Sequence, residues 1–220
     1  MKAVLFDYNG TLYADDDINM AGWIATINEL SQGKLDAERF YHEYMGVPNN
    51  IFVTAMFKEL GLPLEEDKIA YWARRKETEY YQRFCREQNR NNLVPGAEEL
   101  LDYLKEKGIP INLCTASLDT NVDFYFEFLK LDRWFDRNIT VYDDGICHNK
   151  KEMYLEGARR LNTDIKDVLI FDDSRASILH AADAGCENIV VIKKESNPDI
   201  PQIRQRIRDF TEFDYNLLNQ

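Results

Sequence analysis

Four short apolar runs constrain this chain more than any other feature: Ala3-Val4-Leu5-Phe6, Ile111-Asn112-Leu113-Cys114, Val168-Leu169-Ile170-Phe171 and Ile189-Val190-Val191-Ile192. Each is too short for a helix and rich in branched or aromatic side chains. Such near-continuous hydrophobicity belongs to strands covered on both faces, as in a parallel sheet. Helical periodicity lies between the runs. Ala97, Leu100, Leu101 and Leu104 recur at i, i+3, i+4 and i+7 between Pro95 and Gly108. Tyr154, Ala158 and Leu161 do the same before Asn162. Ile178, Ala181 and Ala182 form a third stripe, opened by Ser174 as N-cap and closed by Gly185. Strands alternating with helical crossovers predict an α/β fold with a doubly wound, parallel, Rossmann-like sheet.

Residues 14–92 break this alternation. Ile24, Ile27 and Leu30 precede Gly33, a second helical pattern covers Ala37 to Tyr44, and a third covers Ile51 to Leu60. A long fourth pattern runs from Leu64 to about Gln88. An all-helical insertion after the first strand is expected to pack as its own small bundle. The expected partition is a core of residues 1–13 and 93–220 and a helical cap of residues 14–92. Asp15-Asp16-Asp17 fits a linker ending in a helix N-cap, and Tyr80-Tyr81 fits cap core. Ile203, Ile207 and Phe210 suit a last helix covering the sheet.

Composition narrows the functional classes. Apolar residues make up 45% of the 220, which suits a packed globular chain. The formal net charge of −12 argues against nucleic acid and anionic membrane as partners. No apolar run approaches the ~20 residues of a membrane span, and the N-terminus lacks a signal-peptide pattern. Cys85, Cys114, Cys147 and Cys186 are widely spaced and are expected to be free thiols. Cys147-His148 is adjacent but lacks companions for a metal site. The expected location is cytoplasmic.

Ligands of open α/β sheets bind beyond the carboxyl ends of the strands. There the first strand delivers Asp7 and then Asn9-Gly10-Thr11, and the second delivers Thr115-Ala116-Ser117. The run ending at Phe171 delivers Asp172-Asp173, and Lys150-Lys151 opens the helix before it. Asp7, Asp173 and a backbone carbonyl suit a hard cation such as Mg²⁺. With phosphate charge neutralised, Asp7 can attack as a nucleophile and form an aspartyl-phosphate. The Thr115 hydroxyl, backbone N–H groups and Lys150 can hold the phosphoryl oxygens. Taken singly, Asp172-Asp173-Ser174 suits a helix cap and the lysines suit solvated charges. Their order and strand context favour chemistry.

Phe6-Asp7-Tyr8-Asn9-Gly10-Thr11-Leu12 resembles the first motif of the haloacid dehalogenase superfamily, Asp-x-Asp-Gly-Thr-Leu/Val. Thr115 resembles the second motif, Lys150 the third and Asp172-Asp173 the fourth, although the short loop at the third leaves Lys151 as an alternative. The insertion and Val94-Pro95-Gly96 resemble the helical-cap subfamily of β-phosphoglucomutase and small-metabolite phosphatases. The resemblance implies a Mg²⁺-dependent phosphatase acting on a small phosphorylated metabolite. It implies a metal held by Asp7, Asn9, Asp172 and Asp173, and phosphate held by Gly10, Thr11, Ala116 and Ser117. Gly46-Val47 and the segment from Ala73 to Tyr80 resemble the β-phosphoglucomutase cap and nominate Lys76 as a substrate contact.

One position departs from the pattern. Asn9 stands where the family carries the aspartate that protonates the leaving group and later activates water. An amide cannot exchange that proton near neutral pH, although its carbonyl remains a metal ligand. Asn9 leaves open a slow phosphatase using another base, a divergent member with different chemistry, a variant made to trap an intermediate and a non-catalytic binder of phosphorylated ligands. The cap resemblance adds a β-phosphoglucomutase-like phosphotransferase, but Asn49 and Met20 stand where the mutase would carry a phosphate-binding Arg and a His, which counts against it. Haloacid dehalogenases proper and phosphonatases also lack the aspartate; the former need no Mg²⁺ and the latter need a Schiff-base lysine in the cap.

Overall fold

The computed structural model describes residues 1–45, 47–86, 93–192 and 198–219. Six strands form one sheet: β1 (Ala3–Phe6), β2 (Ile111–Leu118), β3 (Val141–Asp143), β4 (Val168–Asp172), β5 (Asn188–Ile192) and β6 (Ile203–Ile207). Their order is β3-β2-β1-β4-β5-β6 and every neighbouring pair is parallel. The α/β expectation holds, and the four apolar runs are the interior strands. β1, β4 and β5 are buried at every residue, the condition that removes alternation from their sequences.

The crossover helices are α5 (Ala97–Glu106), α6 (Asp119–Leu129), α7 (Lys150–Arg160) and α8 (Arg175–Asp183). Ser174 caps α8 by accepting from the Ser177 N–H. On one face of the sheet, Ala3, Leu5, Val168, Ile170, Ile189 and Val191 pack with Met153, Tyr154 and Ala158 of α7 and Ile178 and Ala181 of α8. On the other, Phe6 stacks on Phe171 at 4.9 Å, and Phe210 lies 5.3 Å from Phe171.

The helical insertion comprises α1 (Asp16–Ser31), α2 (Ala37–Tyr44), α3 (Asn49–Glu59) and α4 (Glu66–Arg86). The expected extension of the last helix to Gln88 lies outside the described residues, as do Gly46 and the boundary near residue 92. The chain divides into two compact units, Met1–Ala14 with Asn91–Gln220, and Asp15–Arg90. The second has its own core, with Trp23 stacked on Phe52 at 3.8 Å among Ile27, Phe40, Val53, Met56 and Phe57. Asp15 occupies the N-cap position of α1 but makes no capping bond; its carboxylate instead accepts the buried Tyr80 hydroxyl at 2.6 Å. Tyr80 is core, whereas Tyr81 is exposed.

The C-terminal expectation needs correction. Ile203 to Ile207 is the edge strand β6, not a helix. A spacing of four satisfies both the 3.6-residue and the two-residue period, and Arg204 facing solvent between half-buried neighbours selects the latter. β6 pairs with β5 through Val190 opposite Gln205 and Ile192 opposite Ile207. Phe210 belongs to a separate 3₁₀ turn, Phe210–Glu212. Among the described residues, no helix is long and apolar enough to cross a membrane.

Candidate active site

β1 and β4 run side by side with Phe6 opposite Phe171, and the Asp7 N–H donates to the Phe171 carbonyl at 3.0 Å. This register brings Asp7 to Asp172 and Asp173 at the carboxyl edge of the sheet. The chain then turns sharply: Leu12 and Tyr13 N–H groups return to the Tyr8 carbonyl at 2.9 and 3.0 Å. Gly10 sits in this turn at φ 76°, and a Cβ there would lie 2.5 Å from the Asp173 carboxylate. Glycine therefore lets Asp173 approach the backbone. The Thr11 hydroxyl donates to Asp173 Oδ1 at 3.0 Å.

Ligand oxygens of Asp7, Asp172 and Asp173 lie within 4.8 Å of one another. Three converging hard-oxygen donors fit a divalent cation such as Mg²⁺. Two of the carboxylates, Asp7 and Asp172, are buried. Burial pushes the Asp7 carboxyl up to about 6, against the pull of Lys150; the charge of Asp172 adds to the rise.

Lys150 reaches this cluster and Lys151 does not. Lys150 Nζ donates to Asp7 Oδ1 at 2.6 Å and to the Cys114 carbonyl at 2.7 Å, and lies 3.6 Å from Asp172 Oδ2. Burial alone would lower its affinity for a proton, but Asp7 and Asp172 outweigh that effect and the net shift is upward. It is a fixed ammonium. Lys151 instead pairs with exposed Asp183 at 2.7 Å. Lys150 is presented from the first turn of α7, which Asn149 and Glu152 secure reciprocally. The Asn149 side chain accepts the Glu152 N–H at 3.0 Å, while Glu152 Oε2 accepts the His148 N–H at 2.8 Å. Cys147 and His148 are in that approach, and Cys147 is a free thiol.

The remaining polar residues form a separate network. Ser117 Oγ donates to Asn9 Oδ1 at 2.8 Å, and Asn9 Nδ2 donates to the Tyr125 hydroxyl at 3.3 Å. Buried Thr115 donates to Ser117 Oγ at 3.2 Å. β2 extends to Leu118, so Thr115, Ala116 and Ser117 lie within the strand rather than beyond it; Ala116 is exposed. The Asn9 amide is thus held between two hydroxyls. Tyr125, stacked on Tyr8 at 3.8 Å, comes from α6, where it belongs to the buried stripe Val122, Tyr125, Phe126 and Leu129. Tyr154 was legible only as core; its hydroxyl donates to Asp172. The signal was its place four residues after Lys150, which puts both on one face of a helix.

Lys76 belongs to the helical unit. It is buried, pairs with Glu77 Oε1 at 3.0 Å, and lies 5.4 Å from the Trp23 ring and 5.3 Å from the Tyr80 ring. Asn49 Nδ2 donates to the same Glu77 oxygen at 2.6 Å.

Sheet order, acidic edge and lysine together place three carboxylates and one ammonium at the carboxyl end of a parallel α/β core, the arrangement of a metal-assisted hydrolase class. The family model for haloacid dehalogenase-like hydrolases matches residues 1–185, and the chain belongs to that family. It is 27% identical over 191 residues to a phosphorylated carbohydrates phosphatase of Thermotoga maritima, covering 86% of this chain and 84% of that protein. It is 26% identical to a ribulose-1,5-bisphosphate 5-phosphatase of Halopiger xanaduensis, covering 98% and 94%. In fold it is similar to a family IA, variant 3 hydrolase of Entamoeba histolytica, with TM-score 0.88 and 24% identity over 100% and 98% of the chains. A β-phosphoglucomutase of Clostridium difficile shares the fold at TM-score 0.82 and 19% identity, over 100% and 96%.

Proposed function

We propose that this chain is a Mg²⁺-dependent phosphatase of small phosphorylated metabolites, with Asp7 as nucleophile. The observation that carries the reading is Lys150 held on Asp7 beside two further carboxylates. Asp7, Asp173 and the Asn9 carbonyl, with Asp172 in support, are the residues to hold the cation. Bound there, a divalent cation supplies charge neutralisation to an approaching phosphate. Asp7 attacks phosphorus as the ester P–O bond breaks, the leaving oxygen taking its proton from solvent because Asn9 cannot give one. Water then cleaves the aspartyl-phosphate to free phosphate and restore Asp7. Lys150, the Thr115 and Ser117 hydroxyls and the backbone from Gly10 to Thr11 steady the phosphoryl oxygens. The Ala116 backbone completes the proposed phosphate contacts, and Lys76, paired with Glu77 within the helical unit, is a separate candidate for substrate contact on the cap resemblance alone. The phosphatases of Thermotoga maritima and Halopiger xanaduensis support the substrate class.

Asn9 favours one second reading. Its amide is held by Ser117 and Tyr125 and cannot act as an acid or base near neutral pH, which suits a member that binds phosphorylated ligands without turnover. A panel of sugar and nucleotide phosphates with Mg²⁺ separates the two. Multiple turnover by the natural chain supports the phosphatase. Absence of release by both the natural chain and Asn9→Asp removes it, and Mg²⁺-dependent ligand binding without turnover then supports the binder.

A further inference from the structure

A lysine side chain has four rotatable bonds, so delivering Lys150 to Asp7 requires something to hold it. The restraint lies on its own helix. Lys150, Tyr154 and Gly157 follow at i, i+4 and i+7 and share the inward face of α7. Tyr154 is fully buried, its hydroxyl donates to Asp172 Oδ2, and its ring lies 5.3 Å from Lys150 Nζ. Asp172 is likewise fully buried. Its Oδ1 accepts the Ser174 N–H at 2.8 Å, and Oδ2 faces Lys150 at 3.6 Å. Gly157 sets the depth of the helix: a Cβ there would lie 2.5 Å from Cys114 Sγ and 3.2 Å from a Leu5 methyl. α7 therefore seats directly on Cys114, whose carbonyl is the second acceptor for Lys150.

We propose that Tyr154 is a positioning residue, fixing Asp172 through its hydroxyl so that Asp172 and the Tyr154 ring together hold Lys150 on Asp7. Its catalytic meaning rests on the phosphatase reading; its geometric role does not. Tyr154 acts through Asp172 and Lys150, the groups that its hydroxyl and its ring meet. Partners that orient the ligating or catalytic groups of such sites are typically worth about 10- to 100-fold in affinity or activity.

Tyr154→Phe keeps the ring and removes the hydroxyl, so a residue needed only for packing would leave the variant like the natural chain. The expected crystal structure of Tyr154→Phe has Asp172 turned and Lys150 Nζ beyond hydrogen-bond reach of Asp7. Steady-state hydrolysis is expected to show kcat lowered about 10- to 100-fold with KM within about twofold. Lys150 remaining on Asp7, or kcat remaining within about twofold, overturns the proposal. Should Tyr154→Phe fail to fold, Tyr154→Met, which also lacks the hydroxyl and is flexible enough to fill the space, is read by the same distance and the same limits. If the natural chain releases phosphate from no ester, the phosphatase reading fails separately, and the Lys150–Asp7 distance alone decides the role of Tyr154.

Discussion

Asp7 and Asn9 are two residues apart and meet different surroundings. Asp7 faces Lys150, whereas Asn9 is enclosed by the hydroxyls of Ser117 and Tyr125. Both hydroxyls can donate to a carboxylate, so Asn9→Asp requires no new neighbour. That substitution is expected to raise kcat by roughly 10²- to 10⁴-fold, the usual worth of a positioned acid/base, measured on the best ester of the panel. An unchanged rate would mean that proton transfer at this position does not limit turnover. The two lysines give a second contrast. Lys150→Ala removes the partner of a buried carboxylate and is expected to lower kcat by at least about tenfold, as loss of transition-state charge stabilisation does. Lys151→Ala breaks only an exposed pair and is expected to leave both kcat and stability within about 0.5 kcal/mol of the natural chain. The sequence favoured Lys150 but left Lys151 as an alternative, because adjacent residues differ only in which helix face they take. Only the seating of α7 on Cys114 separates them.

At the scale of elements, what could be read depended on burial. β1, β4 and β5 are buried on both faces and announced themselves as apolar runs; β3 and β6, at the two edges, did not. β6 carries Arg204 and Arg206 between its isoleucines, and edge strands commonly bear such charges. α6 was missed although Val122, Tyr125, Phe126 and Leu129 recur at i, i+3, i+4 and i+7, because the half-buried Phe124 and Phe128 blur that stripe, and Tyr125 went with it. The cap that starts α7, by contrast, follows from Asn149 and Glu152 alone. Asn149→Ala is expected to cost about 1 kcal/mol, the usual worth of an N-cap, and to reduce kcat because Lys150 is the first residue of that helix. Urea denaturation and steady-state kinetics check both. Glu152 adds a pH signature. The His148 N–H is the main cause that holds its carboxyl below the ordinary value. A lowered folded-state value means stability that is present above the unfolded value near 4.5 and lost as pH falls through the folded one. Glu152→Gln should therefore be less stable than the natural chain at pH 7, and the difference should close on acidification below about pH 4.5. A difference independent of pH would show that the charge of Glu152 is not what the cap uses.

The whole molecule carries a formal net charge of −12 and still gathers Asp7, Asp172 and Asp173 at one sheet edge beside Lys150. Three carboxylates against one ammonium leave an excess of negative charge in a largely buried place, which disfavours the cation-free fold. A cation that binds the folded chain and not the unfolded one relieves that excess. Linkage then adds about 2.7 kcal/mol of stability at a hundredfold excess over the dissociation constant. For a chain of this length that corresponds to a rise of roughly 5–10 °C in Tm. Thermal unfolding with Mg²⁺, compared with potassium chloride at equal ionic strength, is expected to show this rise with Mg²⁺ alone. Asp173→Asn is the informative variant, because an amide oxygen can still accept from Thr11 while the charge is gone. It is expected to keep or exceed the metal-free Tm of the natural chain and to lose the Mg²⁺-dependent rise. An equal rise in Asp173→Asn would mean that divalent ions act by screening the acidic surface. The three-carboxylate edge would then have no claim to a metal.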